Sequence, residues 1–202
     1  MRAAVVVFDG VDELDALGPY EVLATARELG GEVVVRLATL RPAEWVRGAH
    51  DVVLRPHEVL PERLDLVVVP GGGWNDGSPT GARAEVAAGA LPAAIAARHA
   101  AGATVASVCT GAMIVAAAGL VAGRPGITHR SAHHDLVAAG AELRPDARVV
   151  DDGDLLTAGG ITAGIDLGLW IVERELGLDL AQRVAAELEH ERRATAVRPG
   201  GA

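Results

Sequence analysis

The 202 residues carry 27 acidic and 18 basic side chains, a formal net charge of −9. That balance excludes a general nucleic-acid surface, which needs basic patches against phosphates. A single cysteine excludes an internal disulfide framework and fits a cytoplasmic chain, and the apolar part of MRAAVVVFDG is too short for a signal peptide. Half of the residues are hydrophobic but only 2% are aromatic, so Val, Leu, Ile and Ala fill the core of what the length predicts to be one domain.

In chain order the pattern alternates. Ala3–Phe8 reads as a buried strand, and Asp12–Leu17 leads into a helix over Pro19–Leu29, with Pro19 in its first turn and Gly30-Gly31 closing it. Glu32–Thr39 is the next strand, and Asp51–Arg55 a short one paired with residues near Trp45. The apolar run Leu64–Val69 ends at Pro70-Gly71-Gly72-Gly73, and one helix is predicted from Ala82 to Ala101. Residues 100–123 carry no charged side chain, yet Gly102, Ser107, Thr110, Gly111 and Gly119 interrupt them. They divide into a buried strand, Val105–Val108, and a helix, Ala112–Ala118, rather than a membrane span. Ala132–Ala139 reads as a short helix. Val149–Asp151 and Asp154–Thr157 read as a hairpin about Asp152-Gly153, Ala163–Leu176 and Leu180–Arg193 as helices, and 195–202 as a frayed tail after a domain spanning 1–194. This alternation predicts a doubly wound, mostly parallel α/β sheet with helices on both faces.

Cys109 sits where the Val105–Val108 strand turns into a helix, flanked two places away by Ser107 and Gly111. This spacing fits the crowded turn of a nucleophile elbow. The unpaired amides of the first helical turn are expected to favour the thiolate and lower the pKa from about 8.5. A lone cysteine is otherwise a small buried apolar residue. Strand ends are where such sheets hold ligands, and three candidates converge there: Asp15, Gly71–Gly73 and Cys109. The amides of Gly72 and Thr110 are placed to stabilise developing negative charge, although a plain turn explains the glycines equally well. Neither glycine cluster has dinucleotide spacing: Asp76 takes the third glycine position of the first, and Ile161 interrupts Gly159–Gly164. The cluster of His129, His133, His134 and Asp135 lacks zinc spacing and reads as a helix start. Asp12 and Glu13 are expected to face water, and Glu187–Glu191, with His190, to form a solvated helix face.

The runs VVVPGGG, SVCTGA, ITHRS and TAGGITAGIDLGL resemble the DJ-1/PfpI superfamily over nearly the whole chain, and LDALGPYEVLA with Cys-Thr-Gly resembles its isocyanide hydratase branch. The resemblance implies a flavodoxin-like homodimer that needs neither cofactor nor metal. It implies Cys109 as nucleophile, Asp15 as its acid/base partner and Thr110 beside them. Gly72, Thr110, Ile161, Thr162 and His129 would surround the substrate. Peptidases of the superfamily place histidine directly after the cysteine, where this chain has Thr110, and Arg130 stands where an aromatic is usual. Regulators of this type would add a helix-turn-helix domain, for which 202 residues leave no room.

The function so implied is hydration of isocyanides, or a similar small electrophile, to N-substituted formamides. Without the resemblance, Asp15 reads as a helix cap or solvated carboxylate. The alternatives are a thiol sensor of oxidation at Cys109 and a glyoxalase-like enzyme on small 2-oxoaldehydes. No nucleic-acid or membrane partner is expected.

Overall fold

The computed structural model describes residues 1–192 and 196–198. The elements are β1 (Arg2–Val6), α1 (Glu13–Glu28), β2 (Val34–Thr39), β3 (Val46–Arg47), β4 (Val53–Leu54), β5 (Glu58–Val59), β6 (Leu66–Val69), α2 (Ala82–Ala88) and α3 (Ala90–Ala100). They continue with β7 (Thr104–Val108), α4 (Gly111–Ala117), β8 (Pro125–Gly126), a 3₁₀ turn at Arg130–Ala132, α5 (His133–Ala138), β9 (Glu142–Leu143), β10 (Val149–Asp151), β11 (Leu155–Ala158), α6 (Ala163–Leu176) and α7 (Leu178–Glu187). Seven strands form one sheet in the order β10-β11-β7-β6-β1-β2-β5. All its pairs are parallel except β10 with β11. This is the flavodoxin-like α/β sheet expected from the alternation. The central strands are buried on both faces, which is why Val5-Val6, Val67-Val68-Val69 and Val105-Ala106 read as unbroken apolar runs. Helices α1, α6 and α7 pack together, and α2, α3, α4 and α5 form a second group.

Several boundaries differ from the sequence reading, each for a local reason. Helix α1 starts at Glu13, capped by the Asp12 side chain on the amides of Leu14 and Asp15, so Pro19 lies inside the helix rather than in its first turn. The helix predicted over Ala82–Ala101 is two helices. Gly89, at φ +74, takes the left-handed conformation between them, and Pro92 cannot donate back to Ala88. The short strands β5, β8 and β9 lack an apolar alternation to announce them. The hairpin expected near Trp45 is present as β3 with β4. Helix α7 starts earlier than Leu180, at Leu178, and ends at Glu187; the expected end at Arg193 lies outside the described residues. Of the expected tail, residues 196–198 are held: the Val197 amide donates to Val149 O (2.9 Å), its carbonyl accepts from Asp151 N (2.9 Å), and Arg198 stacks on Trp170.

The contact that matters most for the site is α1 against α6. A Cβ added at Gly168 would lie 2.8 Å from Cβ of Val22, one at Gly164 would lie 3.2 Å from Cδ of Pro19, and one at Gly18 would lie 3.4 Å from Ile165. The two helices approach almost backbone to backbone, and α1 carries Asp15. Gly168→Ala is expected to wedge them apart and cost about 1–3 kcal/mol in urea unfolding.

Candidate active site

Cys109 follows β7 directly and is held at φ +56. For a non-glycine residue that conformation costs on the order of 1 kcal/mol or more. Its surroundings hold it there from both sides. The Cys109 amide donates to Ala158 O (3.1 Å) and Gly159 O (3.0 Å), and its carbonyl accepts from Thr128 Oγ1 (2.7 Å). The side chain is thereby presented at the strand end and keeps 6% exposure.

Three loops are sewn together around it. The Asp12 amide donates to Gly71 O (2.9 Å), the Gly71 amide to Asp15 Oδ2 (3.1 Å), and the Gly72 amide to Thr110 Oγ1 (3.0 Å). Gly72 sits at φ +115, and a Cβ there would overlap the Gly10 carbonyl and the Asp12 amide. Asp15 is fully buried at 0% exposure. Its Oδ2 is used by Gly71, whereas its Oδ1 meets no donor in good hydrogen-bond geometry among the described residues. The Cys109 thiol is nonetheless the side chain that couples to this carboxyl.

Burial, and then the charge of Asp12, push the Asp15 carboxyl up from 3.8 to about 7; the thiol and the Gly71 amide pull the other way. Cys109 moves opposite to the sequence expectation. Burial and the Asp15 charge push its thiol well above the usual range, against backbone hydrogen bonds from Thr110 and Ile161 that favour the anion. The helix-terminal amides are therefore present but outweighed. Two buried groups that cannot both be charged hold one proton between them over a wide pH range.

The other residues singled out in the sequence lie around the elbow, with one difference in what they contact. Gly72 lies at the site, but its amide serves the Thr110 hydroxyl, so the amides acting on the sulfur are those of Thr110 and Ile161. Ile161 is held at φ +31, and Thr162, the residue before α6, accepts at Oγ1 from Arg148 Nη2 (3.2 Å). The His129 ring lies against Gly160. Its Nδ1 faces the Ser131 hydroxyl (2.8 Å) and the Ser131 amide (3.3 Å), and burial lowers its pKa. Beside the elbow is an open cavity of about 460 Å³, walled by Thr128, His129, Arg130, Arg148, Ile161 and Thr162 among others. No group of three or more His, Cys, Asp or Glu side chains suited to a metal ion occurs among the described residues, and none of their helices is long and apolar enough to cross a membrane.

Sequence reasoning missed two polar groupings. Glu13 is buried rather than solvated, and its carboxylate accepts from His50 N (2.8 Å) and pairs with His50 Nδ1 (2.7 Å). His190 is half-buried and bonds Asp166 Oδ1 (3.1 Å), while Arg148 Nε holds Oδ2 (2.6 Å). This replaces the expected solvated face at that position. Asp166, five residues after Ile161 on the apolar side of α6, was the available signal: a carboxylate in an otherwise apolar helix face needs a partner.

A strained cysteine at a strand-to-helix elbow, coupled to a buried carboxyl from the neighbouring helix of a flavodoxin-like sheet, defines a cysteine-centred α/β protein. The chain belongs to the DJ-1/PfpI family, whose sequence profile matches residues 1–174. It is 35% identical to an isonitrile hydratase of Pseudomonas putida over 190 residues, covering 94% of this chain and 78% of that one. It is 26% identical to a Parkinson disease protein 7 homolog of Danio rerio over 192 residues, covering 93% and 96%. Among solved structures, a ThiJ/PfpI family protein from Pseudomonas syringae superposes with a TM-score of 0.80 at 26% identity, covering 94% of this chain and 75% of that one.

The Asp15 shift carries a sign for stability. Between about pH 4 and 7 the folded chain keeps a proton that the unfolded chain has released, so this group's contribution is fully present below pH 4 and is lost as pH rises through 7. Asp15→Asn removes the titration. Its melting temperature is expected to exceed the parent's at pH 8, by an amount corresponding to a few kcal/mol, and the gap should close toward pH 4 in thermal scans.

Proposed function

We propose that this protein hydrates isocyanides to N-substituted formamides with Cys109 as nucleophile and Asp15 as general acid and base. The observation that carries the reading is the buried Cys109–Asp15 pair, with one proton between two groups and amides of Thr110 and Ile161 on the sulfur. The similarity to an isonitrile hydratase supports it. When the shared proton rests on Asp15, the sulfur is a thiolate. It attacks the terminal isocyanide carbon, and Asp15 delivers its proton to that same carbon, giving a thioimidate. The carboxylate then takes a proton from water as the oxygen adds to the carbon, and passes that proton to nitrogen. Collapse of the adduct breaks the carbon–sulfur bond, returns the hydroxyl proton to Asp15 and releases the formamide and the thiolate. One water is consumed, and both enzyme groups end as they began.

A homodimer in the cytoplasm, acting on a small molecule without cofactor, completes the reading. Light scattering on the purified protein checks the dimer.

Formamide formation from 4-methylphenyl isocyanide tests the reaction. Cys109→Ala is expected to abolish turnover, and Asp15→Asn to lower kcat about 100-fold or more. The competent pair holds one proton, so kcat/KM is expected to rise as pH rises through about 7, where the first proton leaves. Absence of turnover, together with ready conversion of Cys109 to the sulfinate by peroxide, would replace this reading with the thiol sensor.

A further inference from the structure

The cavity beside the elbow differs in charge from the rest of the molecule. The chain as a whole carries −9, yet Arg130, Arg148, His129 and His133 line this cavity and no carboxylate does. Asp166, three residues beyond the lining Ala163, is engaged by Arg148 Nε (2.6 Å) and His190 Nε2 (3.1 Å). Arg148 Nη2 donates to Thr162 Oγ1 (3.2 Å), which fixes the guanidinium at the rim. Arg130 is exposed, and its side chain makes no hydrogen bond or ion pair among the described residues. His129 has its Nδ1 engaged by Ser131, and no partner for its Nε2 occurs among the described residues.

Two wall residues tie this cavity to Cys109. Thr128 donates from Oγ1 to the Cys109 backbone carbonyl (2.7 Å), and Ile161 presents its amide to the thiol. Ile161 is thus shared between the cavity wall and the surroundings of the thiol, and a molecule whose reacting carbon reached the sulfur from this side would lay its far end among the arginines. The geometry points to an anion subsite in this cavity, centred on Arg130 and Arg148, that selects substrates carrying a carboxylate at the end remote from the reacting carbon. This inference rests on the isocyanide reading for the identity of the reacting group and on the cavity itself for the charge. Arg148 supplies a donor held by Asp166 and Thr162, and Arg130 an exposed one, and arginine grips a carboxylate through more than one N–H.

The test compares 4-isocyanobenzoate with uncharged 4-methylphenyl isocyanide in the parent and in Arg130→Glu. In parallel, benzoate is titrated calorimetrically into Cys109→Ala and into Cys109→Ala carrying Arg130→Glu, each first shown by circular dichroism to be folded. The expected result is a lower KM for the acid than for the neutral compound. Arg130→Glu should raise the ratio of acid to neutral KM about tenfold or more and remove benzoate binding. Equal KM values in the parent, or benzoate binding that Arg130→Glu leaves unchanged, would overturn the subsite while turnover of the neutral compound keeps the reaction. Turnover of neither compound removes the reaction, and benzoate then decides alone. Binding lost on Arg130→Glu retains the anion site, and no binding or unaltered binding discards it.

Discussion

One proton between Cys109 and Asp15 is the constraint on which the rest of the site depends. A buried thiolate and a buried carboxylate side by side would each be desolvated and would repel each other, so the pair cannot lose both protons near neutrality. It need not keep both either, because the Thr110 and Ile161 amides stabilise charge on sulfur and the Gly71 amide stabilises charge on the carboxyl. Burial and the Asp15 charge hold the remaining proton of the singly protonated pair on sulfur at rest, and the proposed reaction draws on the form with that proton on Asp15. An exposed carboxylate would not supply that form, since water would keep it ionised near its ordinary value.

Keeping these groups together requires three separate loops to stay in register, and the glycine run after β6 does this with backbone alone. Gly71 accepts from Asp12 and donates to Asp15, while Gly72 donates to Thr110. The strain at Cys109 is confined in the same manner, its amide and carbonyl satisfied by β11, the loop after it and Thr128. Because these bonds come from different segments, no single side-chain change releases the elbow. Cys109 and Ile161, whose amide faces the thiol, are two of the four non-glycine residues held at positive φ among the described residues, so the chain is bent against its preference at the elbow and beside it.

The sheet and the elbow were readable in the chain because both depend on local signals. Unbroken Val runs announce strands buried on two faces, and Ser107-Val108-Cys109-Thr110-Gly111 announces a crowded turn. What could not be read depends on competition between effects of similar size. The amides at the start of α4 do favour the anion of Cys109, but burial and the Asp15 charge outweigh them, and burial is a tertiary quantity. Glu13 and His190 were misassigned for the same reason. Each lies in a charged stretch of sequence, and only the fold brings the His50 loop over the first and Asp166 against the second. Gly89 was readable as a helix breaker, yet the Ala-rich sequence on both sides masked it.

The use of aspartate makes a demand that the packing of α1 explains. Its side chain is shorter than a glutamate's, so the place of the carboxyl depends on how closely α1 approaches its neighbours. The glycines that meet α1 along α6, Gly164 against Pro19 and Gly168 against Val22, permit that approach. Pro19 adds a second effect, because it lies four residues after Asp15 and has no amide to donate to the Asp15 carbonyl. The helix is thus loosened at the turn that bears the carboxyl, while its Asp12 cap and the Gly71 contacts fix the turn from outside. The position of the carboxyl is set by backbone contacts of the sheet loops and by helix packing, both stiffer than a long side chain. A proton shared between two atoms needs that stiffness, since its energy on each depends steeply on their separation.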